Sequence, residues 1–231
     1  MRAVVTGANR GIGLELVRQL HARGDTAEAC AREPESADAL QKLAGHRVTI
    51  HRLDVTEPAS VRALAAALGD AAIDIVFNVA GVYGGAHQSL RQMAEDLALD
   101  DVARTFDVNA TGALRVALAL LPHVRRGSVK KLVHVTSGMG SITDNTSGGY
   151  YAYRMSKAAL NMMSRSLAID LRGEGIASYV INPGWVQTDM GGPSAPTPVT
   201  DSVCAILREV DGATLADSGE FLNWTGKRYA W

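Results

Sequence analysis

The chain has little of what several classes of protein require. Its 231 residues include two cysteines, Cys30 and Cys204, which make no ligand spacing and are expected to be small buried thiols in a reduced cytoplasm. The six histidines form no HExxH or paired arrangement, so we expect no metal site. The net charge is −1 and no basic stripe is present. This balance argues against nucleic acid or an anionic membrane as the main partner.

Long apolar runs are also missing. The longest, around residues 113–121, is interrupted by Arg115 and is too short to span a bilayer, so no membrane segment is expected. The first apolar run begins at Ala3 and leads directly into a glycine-rich turn, which leaves no room for a signal peptide. We therefore expect a cytoplasmic protein.

Short apolar runs alternate with longer segments of helical period from the first residue to about residue 183. Several of the short runs are unbroken, which favours a parallel sheet buried on both faces under helices. The sequence predicts a single domain over residues 1–231, an α/β protein with a Rossmann-type doubly wound parallel sheet in three α/β/α layers. The predicted strands are 3–6, 26–32, 47–53, 73–78, 131–136 and 176–181, and the predicted helices are near 11–23, 36–44, 57–69, 100–125 and 154–173.

Three irregular segments each follow a predicted strand: 81–92, 138–150 and 184–198. They should emerge at the carboxyl edge of the sheet, where open α/β folds bind ligands. The third is rich in glycine and proline. We predict that it forms a substrate lid at about 184–200.

A glycine turn, TGANRGIG, occupies residues 6–13 between the first strand and the first helix. Its glycines permit a tight turn and close approach of a phosphate, and the helix start offers free N–H groups and a positive dipole end. A dinucleotide-binding turn is favoured over an ordinary strand-to-helix turn because of this placement. The residues expected to contact the dinucleotide here are Gly7, Asn9, Arg10, Gly11, Ile12 and Gly13.

The end of the second strand decides between NAD and NADP. An acidic residue there would accept from the ribose 2′-OH, whereas arginine accommodates a 2′-phosphate. This chain has Ala31 where the acid is expected, followed by Arg32, and Arg10 can add a second cation. Glu33 is a rival that could reach a 2′-OH, and both arginines could be plain surface charges. NADP(H) is favoured and NAD(H) stays possible.

Two further strand ends are expected to contact the dinucleotide. Asp54 and Val55 follow the third strand, where a carboxylate could accept from an adenine amino group, although Asp54 or Thr56 could equally cap a helix. The segment 78–81 ends the fourth strand, and its small residues let the backbone pass close to a ribose. Its expected contact residues are Asn78, Ala80 and Gly81.

Tyr153 is followed four residues later by Lys157, which places both side chains on one helix face. A free phenol titrates near pH ~10, and a nearby ammonium would bring that pKa toward neutrality and improve proton exchange with a substrate. Taken alone, this pair is more often a solvent-facing pair.

Six motifs occur along the chain in one fixed order: TGxxxGxG, Asn78-Val79-Ala80-Gly81, Asn109, Ser137, Tyr153-x-x-x-Lys157 and Asn182-Pro183-Gly184. In this set the chain resembles the short-chain dehydrogenase/reductase family over essentially its whole length. The resemblance implies that Tyr153 protonates the developing alkoxide and that Lys157 binds the nicotinamide ribose and lowers the pKa of the tyrosine. It also implies that Ser137 orients the carbonyl and that Asn109 holds a proton-relay water. The residues implied to line the nicotinamide are Pro183, Gly184, Val186 and Thr188.

Two departures from the family pattern matter. Val79 stands where the family usually has a second asparagine, so one hydrogen bond near the fourth strand is expected to be missing. Ser137 precedes Tyr153 by more residues than is typical, and Ser141 therefore competes for the serine role. We prefer Ser137 because it follows the strand directly.

Details of residues 140–149, 183–192 and 221–226 resemble the sniffer and C-factor-like carbonyl reductases. This implies an NADPH-dependent reductase; the alternatives are a C-factor-like signalling or regulatory dinucleotide-binding protein and an NAD-linked alcohol dehydrogenase. The expected substrate is a small neutral carbonyl compound in a pocket of mainly apolar and aromatic side chains. These side chains are Val82, Tyr83, Met139, Tyr151, Trp185 and Met190.

We also expect a homodimer, with a tetramer possible. Two helix faces are candidates for the interface or for packing on the sheet: Ala113, Ala117 and Leu121, and Ala159, Met163 and Leu167. The aromatic tail, residues 224–231, would close over either the partner or the chain's own substrate pocket.

Overall fold

The computed structural model describes residues 1–84 and 98–231. Within these two ranges, seven parallel strands form one sheet in the order β3-β2-β1-β4-β5-β6-β7. The predicted doubly wound parallel sheet is therefore confirmed. The strands are β1 (Arg2–Thr6), β2 (Thr26–Ala31), β3 (Val48–Arg52), β4 (Ile75–Asn78), β5 (Lys131–Val135), β6 (Ala177–Asn182) and β7 (Phe221–Asn223).

Helices cover both faces of the sheet, and each face has its own apolar core. One core joins the sheet to α1 and α7, and the other joins it to α3, α5 and α6. No helix in the described part of the chain is both long enough and apolar enough to cross a membrane. The helices are α1 (Gly11–Ala22), α2 (Asp38–Gln41), α3 (Pro58–Leu68), α4 (Leu99–Phe106), α5 (Gly112–Arg126), α6 (Tyr151–Asp170) and α7 (Val199–Gly212).

The central strands are buried along their whole length, as their unbroken apolar runs predict. Every residue of β5 and β6 is buried, and Phe77 in β4 and Tyr179 in β6 are fully enclosed. Helices on both faces leave no solvated side for a polar alternation. This rigid centre fixes the strand ends from which the site is built.

Two predicted helices differ from the structure. The predicted helix near 36–44 is reduced to a 3₁₀ turn, Pro34–Ser36, and the four-residue α2, because Ala37 between them has non-helical backbone angles. The predicted helix near 100–125 is divided by a π-helical segment, Asp107–Thr111, between α4 and α5. Such a segment inserts an extra residue in the turn, and π-bulges are frequent at functional sites.

One strand and one helix near the end of the chain were not predicted from the sequence. β7 has only three residues, too few for a periodic signal. Helix α7 does carry a signal, because Val203, Ile206, Leu207 and Val210 form a buried face with helical spacing. Since α7 begins at Val199, the irregular segment that was predicted as a lid over 184–200 ends at Pro198.

The strand order reverses between β1 and β4, which places a crevice at their carboxyl ends. The three irregular segments all leave the sheet at this edge. The first, predicted over 81–92, lies outside the described residues from residue 85 onward.

Asp74 lies at the amino-terminal edge of the sheet, opposite the cavity, and binds groups from two neighbouring segments there. Its carboxylate accepts from the backbone N–H of Arg2 at 2.8 Å, from the N–H and hydroxyl of Ser128 at 2.9 Å each, and from the N–H of Val129 at 3.3 Å. Burial would raise the pKa of Asp74, but these hydrogen bonds together hold it below its usual value.

We expect Asp74→Ala to lower the free energy of unfolding by about 1.5–3 kcal/mol at neutral pH, because hydrogen bonds to a charged acceptor are lost. A carboxyl with a lowered folded-state pKa stabilises the fold above its unfolded pKa and loses that effect as the pH falls through the folded value. The difference from wild type should therefore shrink on acidification. Urea unfolding across pH measures it, with exposed Asp70→Ala as the control; a difference that does not depend on pH would contradict this role.

Candidate active site

One cavity of about 1800 Å³ opens at the carboxyl edge of the sheet. It exceeds the roughly 300–1,000 Å³ of ordinary small-ligand sites, so it has room for a dinucleotide and a second molecule. Most of the predicted site residues line it together. They are Gly7, Asn9, Arg10, Gly11, Ile12, Gly13, Arg32, Asp54, Val55, Ala80, Gly81, Ser137, Tyr153, Lys157, Pro183, Gly184, Val186 and Thr188.

The glycine turn requires glycine at two positions for steric reasons. Gly7 has a φ of +66°, and a Cβ there would lie 2.9 Å from the Cα of Ala80. A Cβ on Gly13 would overlap the carbonyl oxygen of Gly7. The turn is thus packed tightly against the end of β4, with the start of α1 facing the cavity.

The hydroxyl of Thr6 joins β1 to the end of β4. It accepts from the backbone N–H of Val79 at 2.9 Å and of Ala80 at 3.0 Å. Although Val79 replaces the asparagine that is usual in the family, the backbone N–H groups of Val79 and Ala80 are still paired, because the Thr6 hydroxyl accepts from both. This structural role of Thr6 was not predicted from the sequence.

At the β2 and β3 ends of the cavity, the side chain of Asp54 is engaged locally. Its Oδ1 accepts from the backbone N–H of Thr56 at 2.9 Å and from the Thr56 hydroxyl at 2.7 Å. Burial would raise the pKa of Asp54, whereas these bonds and the charge of Arg32 lower it. Helix α3 has no side-chain cap, so the alternative cap role of Asp54 or Thr56 is not what the structure shows.

Arg10 and Arg32 stand in different environments. Arg10 pairs with Asp189 of the lid loop (residues 183–198) at 2.6 Å, and both side chains are largely exposed. Arg32 is exposed beside Ala31 and Glu33 on the cavity wall. Within residues 1–84 and 98–231, no ion pair is formed by Arg32.

Tyr153 lies on the first turn of α6 and is only 7% exposed. Its ring packs on that of Tyr83, with 4.7 Å between centroids. Burial raises the pKa of Tyr153 to about 12, the side chain of Ser137 acts against that rise, and Tyr83 adds to it. The expectation of a lowered pKa is wrong for this structure, because loss of solvation outweighs the neighbouring groups.

Lys157 is buried one helical turn after Tyr153, so the pair is not solvent-facing. Its Nζ donates to the carbonyl oxygen of Val135 at 2.9 Å and lies 5.8 Å from the centre of the Tyr153 ring. Burial lowers the pKa of Lys157 to about 8. The ammonium is therefore held by the end of β5, next to the phenol.

Ser137, rather than Ser141, faces the cavity. The Ser137 hydroxyl accepts from the N–H of Met139 at 3.1 Å and caps a 3₁₀ turn, Gly138–Gly140. Ser141 is buried outside the cavity wall, where its hydroxyl donates to the carbonyl of Trp231 at 3.2 Å. Of the two, only Ser137 has access to a bound molecule.

Asn109 and Asn78 do not line the cavity. The Asn109 amide accepts from the Val82 N–H and donates to the Val82 carbonyl, each at 2.8 Å, and donates to the hydroxyl of Ser156 at 2.9 Å. Its side chain thus holds the chain after β4 against α6, and the water-holding role implied by the resemblance stays a prediction.

Asn78 belongs to the buried centre of the sheet instead. Its amide nitrogen lies 3.1 Å from Nδ1 of His134, whose Nε2 lies 3.3 Å from the hydroxyl of Ser178. Burial, together with the charge of Lys157, lowers the pKa of His134 to about 3, so the ring is neutral at physiological pH. The Asn78 side chain therefore points away from the cavity, and contact of Asn78 with a dinucleotide stays a prediction.

Two further asparagines position the site and were not predicted as doing so. Asn161 accepts from the hydroxyl of Thr136 at 2.6 Å and donates to the carbonyl of Gly140 at 3.2 Å. Asn182 accepts from the N–H groups of Gly138 and Gly184, each at 3.2 Å. Their positions in the sequence could have indicated this role, because Asn161 lies one helical turn after Lys157 and Asn182 follows directly on the apolar run of β6.

The substrate side of the cavity agrees with most of the predicted wall. Tyr151 is the exception: it is 38% exposed outside the lining, and Tyr150 lines the cavity in its place. Asp144 and Arg154 also line it and were not predicted, and so does Tyr229, which lies in the tail that was predicted to close over the partner or the substrate pocket. The predicted wall residues found there are Val82, Tyr83, Met139, Trp185 and Met190.

Residues 1–198 match the family model described as short chain dehydrogenase. The chain therefore belongs to the short-chain dehydrogenase/reductase family. It is similar to the C-signal of Myxococcus xanthus, with 48% identity over 171 residues that cover 74% of this chain and 100% of the relative.

Two solved structures show the same fold over the whole chain. NADPH-bound carbonyl reductase from chicken fatty liver is 34% identical, with a TM-score of 0.92 and coverage of 100% of this chain and 98% of the other. Carbonyl reductase Sniffer of D. melanogaster is 30% identical, with a TM-score of 0.92 and coverage of 100% and 99%. These similarities place the chain with the sniffer and C-factor-like members of the family.

Proposed function

We propose that the chain is an NADPH-dependent reductase of aldehydes or ketones. The observation that carries the proposal is that Ser137, Tyr153 and Lys157 line the same cavity as the glycine turn. The turn fits a dinucleotide, since a side chain at Gly7 or Gly13 would collide with backbone and the start of α1 faces the cavity. The carbonyl reductase with bound NADPH that shares this fold supports the same cofactor.

Each polar group has a distinct task in this reaction. A hydride for the carbonyl carbon would come from NADPH when it is bound. Ser137 donates a hydrogen bond to the carbonyl oxygen, and Tyr153 donates the proton that the resulting alkoxide needs. Because burial raises the pKa of Tyr153 to about 12, the phenol holds its proton at neutral pH until the alkoxide develops. Lys157 holds the nicotinamide ribose and keeps positive charge beside the phenol.

NADPH is favoured over NADH by the charges at the end of β2. Ala31 offers no acceptor for a 2′-OH, and the guanidinium of Arg32 is exposed on the cavity wall. Arg10 is close enough to the lid to pair with Asp189, so Arg32 is the better candidate for the 2′-phosphate.

A signalling role is the second candidate, and the similarity to C-signal favours it. The reductase is preferred because a pure binding protein does not require a buried tyrosine and lysine beside Ser137. Saturable NADPH binding without turnover of a wide panel of aldehydes, ketones and diketones would favour the signalling role.

We expect Tyr153→Phe to lower kcat by about 10²–10⁴-fold, because the ring remains while the proton donor is lost. The affinity for NADPH, measured by fluorescence titration, should stay close to that of wild type. Tyr151→Phe is the matched control, since Tyr151 is outside the cavity lining, and it should have little effect. More than a few per cent of the wild-type rate in Tyr153→Phe would mean that another group is the acid.

We expect Arg32→Asp to weaken NADPH binding by about ten- to a hundredfold, which is the usual value of about 1.5–3 kcal/mol for a bond to a charged group. NADH should gain relative to NADPH, because the new carboxylate repels the 2′-phosphate and accepts from a 2′-OH. Arg62→Asp makes the same charge change on exposed α3, away from the cavity, and serves as the control. An unchanged ratio of the two affinities would move the 2′-phosphate role to Arg10 or remove the preference for NADP.

We propose a homodimer that pairs through α6, one of the two long helices predicted for the interface, but through another face of it. Ala113, Ala117 and Leu167, which belong to the predicted faces, are buried within the chain. Helix α6 instead exposes Met155, Met162 and Ile169, which are 47%, 68% and 66% exposed. Their seven-residue spacing makes one apolar stripe, and a stripe on a long helix can meet its own copy across a twofold axis.

We expect Met162→Glu to convert the dimer to a monomer, because it places a charge in the centre of that stripe. Light scattering with size-exclusion chromatography measures the mass. Ala67→Glu on the exposed face of α3 is the control and should leave the mass unchanged. A monomeric wild-type protein would contradict the dimer, and a dimeric Met162→Glu variant would place the interface elsewhere.

A further inference from the structure

The tail, residues 224–231, turns back on its own chain. After β7 the chain reverses in a turn closed by a bond of 2.8 Å from the N–H of Asn223 to the carbonyl of Lys227. The returning segment runs antiparallel to β7, with a bridge between Leu222 and Arg228 and a bond of 2.7 Å from the N–H of Tyr229 to the carbonyl of Phe221. The tail therefore lies against the sheet edge beside the substrate side of the cavity.

The end of the tail is fastened to the serine loop, residues 137–149. The carbonyl of Trp231 accepts from the N–H of Thr143 at 2.9 Å and from the hydroxyl of Ser141 at 3.2 Å. The Tyr229 hydroxyl donates to the carboxylate of Asp144 at 2.7 Å. These contacts hold the tail and the loop that carries Ser137 as one unit.

Aromatic packing fixes the Tyr229 ring from behind. Its centroid lies 4.9 Å from that of Phe221, which is fully buried, and the ring of Trp231 packs on the same phenylalanine at 5.4 Å. A ring held on one face by a buried aromatic side chain and at its hydroxyl by a carboxylate has little freedom to move aside.

The chain makes room for this ring at Gly138. A Cβ on Gly138 would lie 2.5 Å from the Tyr229 hydroxyl oxygen and 3.0 Å from the adjoining ring carbon. Gly138 directly follows Ser137, and Tyr229, Gly138, Ser137 and Tyr153 all line the cavity. Tyr229 thus stands next to the residue that is proposed to hold the carbonyl.

We propose that Tyr229 is a specificity-determining residue, whose ring forms a fixed wall that limits the size of the group attached to the carbonyl. The proposal rests on the proposed reductase function for the identity of the substrate. The residue that forms this wall lies in the tail, far in sequence from Ser137 and Tyr153.

The test compares two probes that differ in length, benzaldehyde and 4-phenylbenzaldehyde, on the full chain. Calorimetry in the presence of NADP⁺ measures the affinity of each probe without turnover, and NADPH oxidation measures kcat/KM separately. Tyr229→Ala should raise the ratio of the affinity for 4-phenylbenzaldehyde to that for benzaldehyde by about tenfold, because removing the ring enlarges the pocket and an added group in a pocket typically changes affinity by at least that factor. Tyr229→Phe keeps the ring and should stay within about twofold of wild type. Lys227→Ala, an exposed change in the same tail, is the control.

An unchanged affinity ratio in Tyr229→Ala, or an equal shift in Tyr229→Phe, would overturn the wall role of the ring. The absence of saturable binding of both probes to wild type and all variants would overturn it as well. Saturable binding with the expected shift but no NADPH oxidation would count against the proposed reaction and leave the wall role supported. If Tyr229→Ala does not fold, Tyr229→Leu, which keeps an apolar contact with Phe221, replaces it and carries the same expectation.

Discussion

The site depends on one constraint: helix α6 is docked through a face that is polar and yet buried. Four side chains on that face, at positions 156, 157, 161 and 164, bond to groups on the surrounding elements. Their partners are Asn109, the carbonyl of Val135, Thr136 with the carbonyl of Gly140, and Ser178. An apolar face could slide by a fraction of a turn at small cost, whereas a displaced polar face would leave several buried groups unpaired at once. The bonds therefore fix both the rotation and the height of α6, and with them the positions of Tyr153 and Lys157.

The same burial that positions these groups also sets their charges. Lys157, His134 and Tyr153 are all buried, and burial shifts the pKa of each in the direction that favours its neutral form. The result is a neutral imidazole, a protonated phenol and an ammonium whose pKa stays above neutrality. His134 can stay in the sheet centre without bringing a second positive charge to Lys157 because its ring is neutral and its nitrogens lie within bonding distance of Asn78 and Ser178.

Features that occupy adjacent positions in the sequence could be predicted, and those that join distant segments could not. The glycine turn, the Tyr153–Lys157 pair and the buried parallel strands follow from local spacing and hydrophobic period, which act within a few residues. The burial of the Asn78 amide beside His134 could not be predicted, because the sequence shows that Asn78 ends a strand but not to which side its amide points. The raised pKa of Tyr153 depends on enclosure by Tyr83 and neighbours, which no spacing reveals. The place of Tyr229 depends on a chain reversal and on Gly138, some ninety positions earlier.

The ion pair between Arg10 and Asp189 ties the glycine turn to the lid loop across the mouth of the cavity. The loop already has its own internal framework, including a bridge between Val186 and Thr197 and a bond of 2.8 Å from the Trp185 indole to the carbonyl of Gly191. Both side chains of the Arg10–Asp189 pair are largely exposed, so the pair contributes little energy and dissolved ions screen it. This link between the glycine turn and the loop therefore weakens as the ionic strength rises, whereas the hydrogen bonds inside the loop are much less affected.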